Sequence, residues 1–175
     1  MALVMVDRLR FDFDRNVAAA KYDEWTYYRE TIQPRDNAKA LDIVALRRKD
    51  VPATVWLIEA KDFRVLRGVP KPSNISGLVP DVSQKVRDTL AGLEEAASKA
   101  EGRERDHSKR AIAARKRRVI LHIEPYVGPA TKIFPRDFPA KVLEKLKQLV
   151  RDIDPNPRVL EIATTANANV PWAVS

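Results

Sequence analysis

The chain contains no cysteine. Disulfide staples, thiolate metal sites and a cysteine nucleophile are therefore excluded. Histidine occurs twice, as His107 in a polar run and His122 in an apolar one, so no cluster of more than two imidazoles can hold a metal. His122 reads as a satisfied histidine at a sheet surface. Glycine is scarce, five in 175 residues, and forms no Gly-x-x-x-x-Gly-Lys-Ser/Thr loop, no Gly-x-Gly-x-x-Gly turn and no Gly-x-Ser-x-Gly elbow. Nucleotide hydrolysis, dinucleotide binding and elbow-type nucleophilic catalysis have no support. No apolar run approaches the roughly 18 residues of a membrane span, and residues 1–6 meet Asp7 and Arg8 at once. The expectation is a cytoplasmic protein that makes no use of a membrane. Negative charge is the minority: 24 Asp and Glu stand against 32 Lys and Arg, a net +8, which favours a polyanionic partner. At 175 residues the chain suits one domain, 1–175, with a real core.

What is present centres on two apolar runs. In Val55 to Lys61 the strand period of two puts Val55, Leu57, Glu59 and Lys61 on one face and Trp56, Ile58 and Ala60 on the other. Ala40 to Leu46 reads as a second buried strand, and residues 47–54 can reverse the chain between them. Paired as a hairpin, the two runs place Asp42 across from Glu59, so that two carboxylates converge beside the Lys61 ammonium. Buried carboxylates need a partner or a metal. Oxygen ligands of this kind suit Mg²⁺ or Mn²⁺, and a structural ion pair of Lys61 with Glu59 or Asp42 is the alternative use of the same residues.

Leu41-Asp-Ile-Val-Ala-Leu46 followed by Trp56-Leu-Ile-Glu-Ala-Lys61 resembles the signature of the PD-(D/E)XK phosphodiesterase superfamily, with Leu41 where the family's name has proline. The resemblance implies an α/β fold with a mixed central β-sheet flanked by helices, the restriction-endonuclease-like core, across roughly residues 15 to 125. It further implies that Asp42 and Glu59 bind Mg²⁺ or Mn²⁺, that the Ala60 carbonyl adds a ligand, and that Lys61 is the catalytic lysine of a metal-dependent nuclease acting on nucleic acid, with DNA as the expected substrate. A non-catalytic nucleic-acid-binding or protein-interaction subunit on the same fold, as in a defence or toxin system, is the alternative. A homodimer or a partner subunit would supply selectivity.

The remaining elements are read around that motif. Leu9–Phe13 alternates as an edge strand, Asn16 caps a short helix over 17–22, residues 25–32 form a strand, and Pro34–Asn37 turn the chain. Family members often bring an acid from the first helix to the metal, which points to Glu24, with Asp23 behind it. Residues 68–80 form a loop, and Asp81 caps a helix whose stripe is Val82, Val86, Leu90, Leu93 and Ala97. Gln84 and Lys85 match by position the Gln or Lys that several branches of the family place on this helix near the metal, and are candidate nucleic-acid-binding residues. Gly102 to Arg118 carries eight Lys or Arg against two acids and ends in Arg115, Lys116, Arg117 and Arg118, a candidate phosphate-contacting patch or a solvated helix face. Val119–Glu124 reads as a strand, a helix follows Asp137, and Val159–Ala163 is a last strand, so a helix and strand span 137–163. The tail after Thr164 shows no period.

Overall fold

The computed structural model describes residues 2–47, 53–65, 77–127, 129 and 135–175. Most of the turn read over 47–54 and most of the loop read over 68–80 lie outside the described residues. The strands are β1 (Ala2–Val6), β2 (Leu9–Phe13), β3 (Val17–Lys21), β4 (Ile43–Arg47), β5 (Thr54–Asp62), β6 (Lys116–Glu124), β7 (Arg158–Leu160) and β8 (Trp172–Val174). The α-helices are α1 (Gln33–Asp36), α2 (Leu78–Lys99), α3 (Gly102–Ile112), α4 (Phe138–Val150) and α5 (Ile162–Thr165). The protein is α/β, with a mixed five-stranded sheet in the order β3-β4-β5-β6-β7 flanked by helices. Strands β3, β4 and β5 are antiparallel, and β6 and β7 continue parallel to β5.

The alternation in β5 sorts its side chains as expected. Val55 and Leu57 join Val44, Leu46 and the stripe of α2 in the helix-side core. Trp56, Ile58 and Ala60 face the other way, onto a three-stranded antiparallel sheet ordered β1-β2-β8. Leu9–Phe13 is therefore the centre of that small sheet, not an edge. Its hairpin with β1 turns through Asp7, which adopts φ 52°, the left-handed conformation that aspartate tolerates. The patternless tail supplies the third strand, because Phe13 and Trp172 stand opposite and pack together in the second core.

Two expectations near the N-terminus exchange places. Residues 17–21, expected as a helix capped by Asn16, form β3 and pair with β4, burying Val17 in the second core. Residues 25–32, expected as a strand, are helical instead: a π-helical turn over Tyr28–Ile32 runs into α1, with Pro34 at its start and not in a turn. Trp25, Tyr28 and Ile32, at i, i+3 and i+7, all reach the helix-side core, so a helical period overrode the β propensity of their side chains. In α2 every stripe residue is buried, while Asp81 sits in the first turn of a helix that begins at Leu78. Beyond Leu160 the expected strand gives way to α5, opened by a reciprocal capping box between Glu161 and Thr164. Among the described residues no helix is long and apolar enough to cross a membrane.

Candidate functional site

Asp42 immediately precedes β4, and the register Ile43 to Ile58 puts it across from Glu59. The backbone around it is tied down at three points: Leu41 N–H donates to the Thr89 hydroxyl at 3.0 Å, Lys39 N–H donates to Asp88 at 2.9 Å, and the Asp42 carbonyl accepts from Tyr22 N–H at 2.9 Å. Thr89 is a fully buried hydroxyl within the apolar face of α2. That polar residue in an apolar stripe was the one sequence signal for this anchor. The Asp42 carboxylate accepts from Ala60 N–H at 2.7 Å. The contact that Ala60 makes is thus through its amide.

Glu59 is fully buried. Its Oε1 receives two ammonium groups, Lys61 Nζ at 2.7 Å and Lys85 Nζ at 2.6 Å, while its Oε2 is buried with no partner among the described residues. Burial, and next the charge of Glu59, push the Asp42 carboxyl up to about 7. For Lys61 burial works downward, but the charge of Glu59 and its hydrogen bond prevail, and the ammonium sits above its ordinary value. One oxygen of the Glu59 carboxylate thus carries both cations, and the other is left without a hydrogen-bond partner among the described residues. Among the described residues no three histidine or carboxylate side chains stand close enough to hold a metal by themselves.

The other candidate residues divide. Lys85 is brought into the cluster. Gln84 is exposed and donates to Asp88 at 2.6 Å. Glu24 is turned away, in an exposed pair with Lys21 at 2.9 Å that lowers its pKa. Asp23 is the nearer acid: it lines a cavity of about 410 Å³ together with Asp42, Lys85, Arg29 and Lys39, and burial raises its pKa. Arg29 and Lys39 had no motif to mark them.

The basic run lies elsewhere. Lys116, Arg117 and Arg118 open β6 beside Thr54 to Trp56, five to three strand residues, or roughly 16 to 10 Å, along the sheet from Glu59. Arg118 is structural: it pairs at 2.9 Å with the fully buried Asp154, which also accepts from Val119 N–H. Arg115 and Lys116 stay exposed, and residues 102–112 are the solvated helix α3 with His107 and Ser108 turned inward. His122 is buried, with its Nε2 2.9 Å from Glu124.

No family model matches the sequence, and no solved structure matches the chain. The whole chain aligns with a stretch of the cysteine--tRNA ligase of Neisseria meningitidis serogroup A / serotype 4A at 28% identity over 214 residues. That stretch is 30% of the ligase's length. The finding corrects the activity inferred from the motif: the relative is named as a cysteine--tRNA ligase, so the assignment as a nuclease and hydrolase is overturned.

Proposed function

We propose that this chain binds tRNA, and that the cluster of Asp42, Glu59, Lys61 and Lys85 receives one backbone phosphate with the help of a divalent cation, Mg²⁺. The observation that carries the reading is the arrangement itself: a fully buried carboxylate with an orphaned oxygen, a half-buried second carboxyl, and two ammonium groups, one of which, Lys85, lines with Asp42 a cavity whose rim adds Arg29 and Lys39. Similarity to a tRNA ligase supports RNA as the polyanion for a chain of net +8. Because the chain spans 30% of that ligase, the proposal is confined to binding. A second subunit or a longer ligase-like chain would provide the remaining contacts, and the cytoplasm expected from the sequence suits such a partner.

The donor set fits the metal. Glu59 Oε2 lacks a partner among the described residues, and burial, with the charge of Glu59 next, holds the Asp42 carboxyl protonated to about pH 7. Mg²⁺ keeps several waters and takes only one or two carboxylates, so two carboxylates suffice. A bound ion supplies charge that a phosphate oxygen can share, and Lys61 and Lys85 hold Glu59 in place. Three antiparallel strands followed by helices and a parallel strand support the restriction-endonuclease-like core as scaffold, with no cleavage attached to it.

Fluorescence anisotropy of labelled tRNA, with duplex DNA as the comparison, tests the reading. Binding that is tighter for tRNA and strengthened by Mg²⁺ is expected. Absence of tRNA binding at low salt, or equal binding of duplex DNA regardless of Mg²⁺, would overturn it.

A further inference from the structure

Helix α3 carries Arg103, His107 and Arg110 at i, i+4 and i+7, a single helical face. All three line a cavity of about 640 Å³ whose other side is formed by residues 17–20 of β3 together with Ala2 and Trp25. Successive strand side chains point to opposite faces, so a wall built of four consecutive residues is the edge of the strand and not one of its faces. Among the described residues β3 is the terminal strand of its sheet and pairs only with β4. Its outer edge therefore presents backbone donors and acceptors over three small side chains, Ala18, Ala19 and Ala20, that let a flat group approach.

Polar chemistry at the opposite wall is unspent. The His107 ring hydrogen-bonds the backbone of Val44 and leaves Nε2 buried without a partner, although the residue is only 7% exposed. Burial, with Arg110 adding to it, lowers the imidazole to about 4, so Nε2 is a lone-pair acceptor at neutral pH. Trp25 stands edge-on to this ring at 5.5 Å between centroids and adds aromatic surface. Of the two acids of the lining, Glu104 accepts the amides of Thr26 and Tyr27 at 2.9 and 3.0 Å, and Asp106 is exposed, 3.9 Å from Arg105. Arg110 Nε donates to the Asp106 carbonyl at 3.2 Å, which leaves its terminal nitrogens and the Arg103 guanidinium to meet a ligand.

We propose that this cavity binds a nucleoside monophosphate, free or as the terminal nucleotide of an RNA. The base edge meets the open edge of β3 beside the His107 ring, and the phosphate meets Arg103 or Arg110 in a charge-assisted contact. The volume lies within the roughly 300–1,000 Å³ of ligand pockets, and the two arginines, seven residues apart on one helix, are separated by about 10 Å along its axis, a nucleotide's length. The site shares no lining residue with the cavity at Asp42 and does not depend on that cluster.

An NMR titration of the full chain with AMP, CMP, GMP and UMP tests it, with inorganic phosphate, a short 5′-phosphorylated RNA and an alternating Val-Glu peptide as further arms. Mononucleotides should shift the amides of Ala18 to Ala20 and the ring protons of His107, unaffected by EDTA or by Asp42→Asn. The double variant Arg103→Ala/Arg110→Ala, both sites being exposed, should keep its melting temperature and bind about tenfold more weakly or worse. If the RNA moves the same resonances at lower concentration than the mononucleotides, the ligand is a strand end; if the mononucleotides alone do, it is a free nucleotide. No shift with any nucleotide, equal affinity for phosphate alone, undiminished binding by the double variant, or a response only to the peptide would overturn the proposal.

Discussion

Lys85, projecting from α2, places its ammonium 2.6 Å from Oε1 of Glu59 on β5, so the helix and the sheet meet through a charge pair in which the carboxylate is fully buried. Lys61 shares the same oxygen from the strand side. Removing Lys85 leaves Glu59 with one cation where it had two, and Lys85→Ala should cost about 2–3 kcal/mol, somewhat less than the loss of a sole partner. Pairing it with Glu59→Gln removes the charge that needs compensation. Denaturant titrations of the single and double variants check this, and a double variant as unstable as the sum of the two singles would contradict it.

Asp42 gives the protein a pH dependence of defined sign. Its folded pKa, about 7, lies above the ordinary carboxylate value, so the folded state holds a proton that the unfolded state has released, and stability falls as pH rises from about 4 to about 7. Asp42→Asn keeps an acceptor for Ala60 N–H and carries no charge. It should be more stable than the parent near pH 8, by on the order of 3 kcal/mol, and the gain should vanish below about pH 4. Thermal melts across that range decide it; a gain independent of pH would mean that the carboxyl is not the source.

Gly92 lies in the middle of α2, where a Cβ would run into the Tyr22 hydroxyl and crowd Ile32 Cδ1. Gly→Ala in a helix normally helps by about 1 kcal/mol. Here overpacking reverses the sign, and Gly92→Ala should lose about 1–3 kcal/mol. A higher melting temperature for this variant would contradict the packing of Tyr22 on α2.

Asp154 tests the dissection of the basic run. Its carboxylate serves Arg118, Val119 N–H and Asn156 N–H at 2.9–3.0 Å. Asp154→Ala should destabilise by about 3 kcal/mol, since it orphans buried donors, whereas Arg115→Ala and Lys116→Ala should stay within about 0.5 kcal/mol of the parent. Chemical denaturation of the three variants suffices. A costly Lys116→Ala would show that the exposed part of the run is structural as well.

How much of this was legible in the sequence depended on whether a residue's neighbours were local. The alternation of β5 and the stripe of α2 follow from spacing within one segment, and the convergence of Asp42 with Glu59 from pairing two neighbouring ones. β3 was misread because Asn16 and three alanines suit a helix start in isolation, and its strand state comes from pairing with β4. Residues 25–32 were misread because Tyr, Thr and Ile favour strands, although Trp25, Tyr28 and Ile32 already carried a helical spacing. β8 is a strand because of Phe13, some 160 residues away, and no window of the tail contains that information. At the site, Glu24 was preferred to Asp23 on helix geometry that does not exist. Arg29 and Lys39 reach the cavity through tertiary placement alone.

The central claim is that tRNA meets the Asp42–Glu59 cluster through a divalent cation. The most direct measurement is tRNA affinity for the parent and for Asp42→Asn, in Mg²⁺ and in EDTA at equal ionic strength. The account predicts that Mg²⁺ tightens binding by the parent several-fold, that the substitution removes this gain, and that the two proteins bind nearly alike in EDTA, because general electrostatic attraction survives. An Mg²⁺ gain of the same size in Asp42→Asn would contradict it.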